Sequence, residues 1–413
     1  MKRSFRVSLN ETPAGYLSED DDGRVTFRFQ DDYRTLGHRP VLGQSFEDDL
    51  TRPYRGKRGE LPAYFANLVP EGPAMRSLIE NSLQIPSGDD LALLAAVGQD
   101  LPGAVVIAST DNPAEAPGES DADVRLDDWS DAEAEEPVLR FSLAGVQLKF
   151  SVLREADKLV IPAHGRRGDW IVKLDSSRFP RVVENELATM EWARAAGFDV
   201  PECHLQTVSS LAPALRSYAR PETSVLVIRR YDREGSRRIH QEDFAQVVSL
   251  PPRLKYSQIS YEQCAALVRQ IVGEEGYFEF IRRLAFVIAS GNTDAHLKNW
   301  SLIYPDGVNA KLSPLYDQVC TIAWDELPRV LALKLSGKKN LLQIDEKAFA
   351  RLAEKARMDA GRTVSVLRDS LARMAEAWKA ARIEQLMPPE HALALRAYWE
   401  DAPLLKLFAD ALR

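Results

Sequence analysis

The alternation of apolar and polar residues changes twice along this 413-residue chain. In residues 1–108, alternating segments at 5–9 and 24–29 flank an acidic turn and predict a small antiparallel sheet. A helix is predicted from about Pro73, and residues 91–107 predict a second helix, a glycine-containing turn and a strand. This part is therefore predicted to be a mixed α+β unit, and it contains no polar cluster that indicates an activity.

Strand patterns return at residue 138, and helical periodicity replaces them after Ser260. Strands are predicted at 138–143, 144–155, 158–163, 169–175, 200–208 and 223–232, with an amphipathic helix at 184–197 among them. Helices are then predicted at 261–273, at 277–290 and over most of 345–413. A sheet followed by helices predicts a two-lobed α+β enzyme body with a hinge near Arg229–Asp232.

The segment between these two patterns is strongly acidic. Residues 111–136 contain eleven Asp and Glu and one Arg, a net charge of −10, so the rest of the chain sums to about +2 of the total of −8. Low hydrophobicity and charge repulsion predict an extended, mobile linker. The predicted division is an N-terminal unit (1–108), the acidic linker (109–136), a sheet-rich nucleotide-binding part (137–232) and a helical catalytic lobe (233–413).

Composition excludes several classes of protein. No apolar run approaches the roughly 20 residues of a membrane helix, and no secretory signal follows the first residues. The three cysteines, Cys203, Cys264 and Cys320, are too far apart for a zinc site and too few for a disulfide framework. Because the rest of the chain is nearly neutral, direct DNA binding by it alone is not supported. We expect a cytoplasmic protein without membrane contact.

The most informative stretch is the polar loop that follows the predicted helix at 277–290. Gly291 is predicted to end that helix, and Asp294 and Asn299 lie five residues apart on the loop. A carboxylate with this spacing can orient or deprotonate an attacking hydroxyl, while the amide holds a magnesium ion on a phosphate. Ordinary turn chemistry after a helix accounts for the same residues equally well.

Four further features occur in the order that a phosphotransferase requires. Gly145 lies in a hairpin whose backbone could approach phosphate oxygens, and Lys173 lies inside an apolar strand, where it needs an anion or must snorkel. Glu186 could pair with that lysine, and Asp317 offers a hard oxygen ligand for magnesium. Singly these are a turn, an edge lysine, a surface glutamate and a cap. Together they favour phosphoryl transfer, and no catalytic elbow, dinucleotide fingerprint or P-loop competes.

The same stretches carry a resemblance to a known family. The segments SLAGVQLKF, WIVKL, VENELATMEWARAAGFDVPE, RYDR, RIHQEDFAQ, KYS, GNTDAHLKNWSL and LSPLYD occur in this order. They are similar to the HipA family of serine/threonine kinases, the toxins of bacterial toxin–antitoxin pairs. The first unit resembles that family through GELPAYFANLVPEG and LLAAVGQDLPGAV. The resemblance implies a two-lobed protein-kinase-like fold with a small mixed N-terminal subdomain and a helical C-terminal lobe.

The resemblance also implies roles for matching positions. Asp294 would be the catalytic base, and Asn299 and Asp317 would hold magnesium. The implied nucleotide-binding positions are Ala144, Gly145, Val146, Gln147, Leu148, Lys149, Lys173, Arg229, Arg230, Tyr231, His296, Leu297, Lys298, Asn299, Tyr316 and Asp317. Ser142 matches an autophosphorylated serine, and Glu186 would form a structural ion pair. This chain departs from the family at Leu148, where Glu is frequent, and at Arg229, where an acidic residue is frequent.

These observations predict an ATP- and magnesium-dependent serine/threonine protein kinase that is the toxin of a two-component module. The resemblance implies a translation factor such as an aminoacyl-tRNA synthetase as target. It also implies a helix-turn-helix antitoxin of the HipB type as partner, with DNA contacted only through that partner. Two alternatives stay open: a kinase of small molecules or lipid head groups, and a catalytically silent corepressor. The second is disfavoured by the intact set of Lys173, Asp294, Asn299 and Asp317.

Overall fold

The computed structural model describes residues 3–110, 125–126, 147–155, 158–160, 168–406 and 408–409. Its strands are β1 (Ser4–Leu9), β2 (Thr12–Glu19), β3 (Val25–Phe29), β4 (Tyr54–Arg55), β5 (Val105–Ser109), β6 (Arg125–Leu126), β7 (Lys149–Glu155), β8 (Lys158–Val160), β9 (Trp170–Leu174), β10 (Cys203–Thr207), β11 (Ser224–Arg229), β12 (Arg233–Glu234), β13 (Arg237–Arg238), β14 (His240–Asp243), β15 (Ser301–Tyr304), β16 (Lys311–Leu312), β17 (Val330–Leu335) and β18 (Lys338–Asn340). Its α-helices are α1 (Asp31–Arg34), α2 (Ala63–Ala66), α3 (Pro73–Leu83), α4 (Asp90–Val97), α5 (Val182–Ala195), α6 (Pro213–Arg216), α7 (Phe244–Val247), α8 (Tyr261–Ile271), α9 (Glu274–Ala289), α10 (Glu346–Lys355), α11 (Ala360–Ala380), α12 (Ile383–Leu386) and α13 (Pro389–Asp401).

The first unit is built on one sheet with the strand order β5-β1-β2-β3-β4-β6. All pairs are antiparallel except β4 with β6. Phe27 and Phe29, which face the same side of β3, fill its core together with Phe46 and Phe65 from the helical segments 44–46 and 63–66. The predicted segments are β1 and β3, and the unpredicted β2 lies between them. Strand β6 falls inside the predicted linker, whose other residues, apart from 109 and 110, lie outside the described ranges.

The second sheet is antiparallel and has the order β10-β11-β9-β7-β8, with α5 packed on one face. Strand β9 is internal, because Lys173 pairs with Leu226 on one side and with Lys149 on the other. Lys173 is therefore not the edge-strand lysine that its sequence context also allowed. Side chains alternate along a strand, so Lys173 shares the face of Ile171, which packs in the α5 cluster. Its ammonium is thereby directed towards the helix.

The helical lobe is organised around α9, whose side chains are almost all buried. The helix ends at Ala289, with Ser290 as its C-cap, and Gly291 follows with φ +64°. A Cβ atom at Gly291 would lie 2.5 Å from the side chain of Ile322, so both the backbone conformation and the space require glycine. The lobe also contains the small sheet β14-β15-β16, which flanks the loop after α9 and was not predicted. No helix in the described part of the chain is long and apolar enough to cross a membrane.

A network of buried arginines joins the first unit to the rest of the chain. The Asp100 carboxylate accepts hydrogen bonds from Arg230 Nη1 at 3.0 Å and from Arg233 Nη2 at 3.1 Å. Arg238 donates to the carbonyl of Leu101 at 2.8 Å and to further carbonyls of the same loop. Buried guanidinium groups are stable only when such acceptors surround them. Residues 230–238, in and after the predicted hinge, therefore also form the contact that holds the first unit.

Glu242, on β14, is a fully buried carboxyl at the same junction. The Tyr304 hydroxyl donates to Oε1, and the Gln44 N–H donates to Oε1 at 3.0 Å. Burial raises the pKa of Glu242 from 4.5 to about 8, although both hydrogen bonds oppose that rise. The folded chain thus holds this proton more tightly than the unfolded chain does.

We expect Glu242→Gln to flatten the pH dependence of stability between pH 4.5 and 8. The pKa of Glu242 is higher in the folded chain than in the unfolded chain. The stabilisation by the neutral carboxyl is therefore complete below about pH 4.5 and is lost as pH rises towards 8. Wild-type protein should lose up to about 1.4 kcal/mol of unfolding free energy per pH unit relative to the variant. Urea denaturation at pH 5, 6.5 and 8 measures this, with the exposed Glu234→Gln as control. Parallel curves for wild type and Glu242→Gln would contradict the assignment.

Candidate active site

A buried lysine between two carboxylates lies at the centre of the site. Lys173 Nζ lies 2.5 Å from Glu186 Oε1 and also contacts Asp317 Oδ1. The Lys173 side chain is 8% exposed and that of Glu186 is fully buried. Burial lowers the pKa of Lys173, but the Asp317 and Glu186 carboxylates outweigh this effect and raise it above its ordinary value. The lysine is therefore a fixed positive charge at the centre of the candidate site.

Asp317 is the least buried member of this cluster. Its φ of +52° is in the left-handed region, which a non-glycine residue adopts infrequently and often at functional positions. Burial would raise the pKa of Asp317, but the Lys173 and Lys149 ammonium groups hold it well below its usual range. The carboxylate is therefore ionised at neutral pH, and its side chain keeps 26% of its surface exposed. The Asp317 carboxylate can offer an oxygen atom to a cation bound at this site.

The loop after α9 carries Asp294, the candidate base. The Tyr256 hydroxyl donates to Asp294 Oδ1. The amide of Asn299 donates through Nδ2 to the Asp294 carbonyl at 2.8 Å, across a 3₁₀ turn at Leu297–Asn299. This bond directs the other amide atom of Asn299, Oδ1, away from the loop backbone. The carboxylate of Asp294 and the amide group of Asn299 are thus each held by a defined partner.

One buried side chain, Asn292, connects the loop that carries Asp294 to the segment that carries Asp317. Asn292 accepts a hydrogen bond from the Asp294 N–H at 3.0 Å. Through Nδ2 it donates to the Asp317 carbonyl at 3.4 Å and to Gln318 Oε1 at 3.3 Å. Its exposure of 1% excludes water as a competitor for these bonds. The structure therefore brings Asp294, Asn299, Asp317, Lys173 and Glu186 into one site.

The donor set is compatible with magnesium bound to a nucleotide. Within the described ranges, no group of three or more His, Cys, Asp or Glu side chains could hold a metal ion. Magnesium, however, usually takes only one or two protein oxygens and completes its octahedron with phosphates and water. Asp317 and Asn299 supply one carboxylate and one amide oxygen. The ammonium of Lys173 on Asp317 Oδ1 shows that this oxygen attracts a cation.

Two residues of the predicted nucleotide set have other surroundings. His296 is buried against the Tyr256 ring, with ring centroids 4.9 Å apart, and burial lowers its pKa well below the ordinary value, so it is neutral. Lys298 turns towards the first unit, where its Nζ lies 2.6 Å from the Asn67 carbonyl and 2.9 Å from Glu71 Oε1. The side chain of Lys298 is thus engaged by protein groups. Leu297, between them, is buried in the core of the lobe.

The predicted phosphate loop is described only from Gln147 onwards. Gln147 Nε2 donates to the Leu174 carbonyl at 3.0 Å, and Leu148 packs against the sheet. Lys149 is exposed and lies opposite Lys173 across β7 and β9, so both cations face the same side. Ser142, Ala144, Gly145 and Val146 lie outside the described residues.

The arginine side chains of the predicted hinge contact other parts of the protein and not the candidate site. Arg229 is exposed and lies 3.8 Å from Glu202. The side chain of Arg230 is directed to Asp100 in the first unit, while its N–H donates to the Asp169 carbonyl at 2.9 Å. Contact with a nucleotide through this segment would therefore involve backbone groups or Tyr231.

Tyr231 and Tyr316 lie together, with ring centroids 5.7 Å apart. The Tyr231 hydroxyl donates to Gln241 Oε1, and the Tyr316 hydroxyl donates to the Lys298 carbonyl at 3.0 Å. Both rings thereby connect the hinge and the segment before Asp317 to the candidate catalytic loop, residues 291–299 after α9.

Three residues of this site were missed from the sequence. Tyr256 lies 38 residues before Asp294, so nothing local in the sequence indicates that its hydroxyl reaches the Asp294 carboxylate. Asn292 was read as turn chemistry, and no local signal distinguished it. Glu71 belongs to the first unit, for which the sequence indicated no activity.

The chain is similar to known proteins over both of its units. Residues 5–108 match the family model of the HipA N-terminal domain, and residues 141–378 match that of the HipA-like C-terminal domain. Y4dM of Sinorhizobium fredii, a kinase by name, is 36% identical over 410 residues, covering 98% of this chain and 97% of that protein. The serine/threonine-protein kinase toxin HipA of Shewanella oneidensis is 24% identical over 317 residues, covering 68% of each.

A solved structure has the same fold. The HipA chain of Shewanella oneidensis, determined in complex with HipB and its operator DNA, superposes with a TM-score of 0.75 at 19% identity, over 98% of this chain and 99% of that chain. The α+β, kinase-like architecture predicted from the sequence is thereby confirmed. Because both domain models match and a relative aligns over nearly the full length, the chain belongs to the HipA family of kinases.

Proposed function

We propose that this chain is a cytoplasmic, ATP- and magnesium-dependent serine/threonine protein kinase. The observation that carries the proposal is the buried Lys173 ammonium between Glu186 and Asp317, in a site shared with Asp294 and Asn299. Phosphoryl transfer needs mainly positioning and neutralisation of charge, and this arrangement offers both. Lys173 would bind nucleotide phosphates, while Asp317 and Asn299 would hold the magnesium that neutralises charge on the transferred group.

In the proposed reaction, a substrate hydroxyl oxygen forms a bond to the γ-phosphorus and the bond to the bridging oxygen of ADP breaks. Asp294 accepts the hydroxyl proton, and ADP leaves with the electron pair of the broken bond. The hydrogen bond from Tyr256 would fix the orientation of the carboxylate for this transfer. His296 on the same loop is neutral, so it places no positive charge beside the carboxylate that would weaken it as a base.

We also propose that the kinase is the toxin of a two-component module. The support is a relative named as a toxin and a solved relative in complex with HipB and operator DNA. The partner would be a helix-turn-helix antitoxin of the HipB type, and the substrate a translation factor such as an aminoacyl-tRNA synthetase. Ser142 is the proposed autophosphorylation site. A phosphate there would add a charge of roughly −1.5 to −2 next to the phosphate-binding segment and so inhibit nucleotide binding.

Incubation of the purified chain with γ-labelled ATP, magnesium and a set of purified aminoacyl-tRNA synthetases tests the proposal. We expect label on Ser142 and on one synthetase, and no label when EDTA removes magnesium, because the phosphates then lose their counter-charge. Mass spectrometry identifies the labelled residues. If label is found only on small molecules, the chain is a kinase of metabolites and not of proteins. No consumption of ATP in the presence of magnesium would refute both.

A further inference from the structure

One carboxylate of the first unit reaches the kinase core close to the catalytic loop. Glu71 lies between α2 and α3, and its Oε2 is 2.6 Å from Lys255 Nζ. Its other oxygen, Oε1, is 2.9 Å from Lys298 Nζ. The side chain is three-quarters buried, so both ion pairs are shielded from solvent and are stronger than exposed pairs. Glu71 therefore bridges two lysines that are distant in the sequence.

The two lysines belong to the two segments that hold the proposed catalytic base. Lys255 precedes Tyr256, whose hydroxyl donates to Asp294, and the Lys255 carbonyl accepts from the Leu297 N–H at 3.2 Å. Lys298 precedes Asn299, whose amide donates to the Asp294 carbonyl. Both contacts to Asp294 are thus made by residues that immediately follow a partner of Glu71.

The surroundings of Glu71 make this bridge rigid. Asn67 accepts from Lys298 through its carbonyl at 2.6 Å and donates to the Leu250 carbonyl at 2.7 Å. Asp243 lies 3.2 Å from Lys298 Nζ, so two carboxylates face two ammonium groups. Burial opposes ionisation of Glu71, yet Lys298 and Lys255 lower its pKa to about 2. The bridge is charged and balanced at neutral pH.

We infer that Glu71 is a positioning residue that the first unit contributes to the active site. By binding Lys255 and Lys298 together, it fixes the two segments that orient Asp294 and Asn299. The inference extends the proposed kinase function, on which its kinetic consequence rests. The first unit is then part of the phosphotransfer machinery as well as a surface for packing or partners.

Glu71→Gln tests this role, because the amide keeps the shape of the side chain and removes the charge that binds both lysines. We expect kcat to fall about 10-fold to 100-fold, since a small misplacement of the base slows transfer strongly. The KM for ATP should change less than kcat, because Lys173 and Asp317 are untouched. Hydrogen–deuterium exchange of residues 294–299 should increase. Glu71→Asp, which retains the charge, should recover part of kcat.

Glu60→Gln is the matched control. It removes a different ion pair between the same two parts of the chain, Glu60 with Arg253 at 3.4 Å, which is solvent-exposed. This variant should show wild-type kcat and wild-type exchange. The inference is overturned if Glu71→Gln also keeps wild-type kcat and exchange, or if Glu71→Asp recovers nothing. Should the wild type consume no ATP, the proposed function fails, while the exchange comparison of the two variants still decides the role of Glu71.

Discussion

Asp294→Asn is expected to lower the rate of phosphotransfer by about 10²-fold to 10⁴-fold while the fold and nucleotide affinity are preserved. The amide is isosteric with the carboxylate, and its oxygen can still accept the hydrogen bond from Tyr256. It cannot accept the proton of the substrate hydroxyl. Single-turnover transfer of label from γ-labelled ATP measures the rate, and calorimetric titration with ATP and magnesium measures the affinity.

The matched control for this variant is Asp325→Asn, which makes the same chemical change at an exposed position. It should transfer phosphate at the wild-type rate. Growth inhibition by the expressed protein should disappear with Asp294→Asn and persist with Asp325→Asn. If both variants inhibit growth equally, Asp294 is not the base, and a silent corepressor becomes the better description.

Lys173→Met is expected to destabilise the protein and to abolish nucleotide binding. Removing one partner of a buried ion pair costs about 3–5 kcal/mol, because the remaining charge stays desolvated. Here that charge is the fully buried Glu186, whose only cationic partner within the described hydrogen-bond network is Lys173. The same change removes the cation nearest to Asp317. Urea denaturation measures the first effect, and titration with ATP measures the second.

The double variant Lys173→Met with Glu186→Gln separates the two effects. With both charges removed, most of the lost unfolding free energy should return, whereas ATP binding should remain absent. Arg368→Met breaks the exposed pair with Glu346, 2.6 Å apart, and should change stability little. A Lys173→Met protein with wild-type stability, or with wild-type affinity for ATP, would show that the ion pair or the phosphate contact has been misassigned.

Local patterns in the sequence predicted the parts of the site that depend on one element or on two adjacent ones. The apolar run of α9 predicted a buried helix, and Gly291 ends it because only glycine fits its backbone and surroundings. The strand carrying Lys173 is followed directly by the helix carrying Glu186, so the pair could be anticipated from the packing of that helix on its sheet. The assigned roles of these residues in the reaction remain predictions.

Contacts between distant segments were not predictable in the same way. Nothing near Lys298 indicates that Glu71 and Asn67 of the first unit will surround its ammonium. Strand β2 was missed because its proline and glycine weaken the strand pattern, and β14–β16 are too short to show one. Such features depend on tertiary packing, which overrides weak local propensities.

The arginine network around Asp100 determines how this protein can be dissected. Arg230, Arg233 and Arg238 each donate to at least one acceptor of the first unit, in the segment that ends at Val105. A fragment that contains only residues 137–413 would keep these three arginine side chains but lose the first-unit groups that accept their hydrogen bonds. Expression of the catalytic lobes alone should therefore yield insoluble protein, and co-expression of residues 1–108 as a separate polypeptide is the condition under which solubility should return.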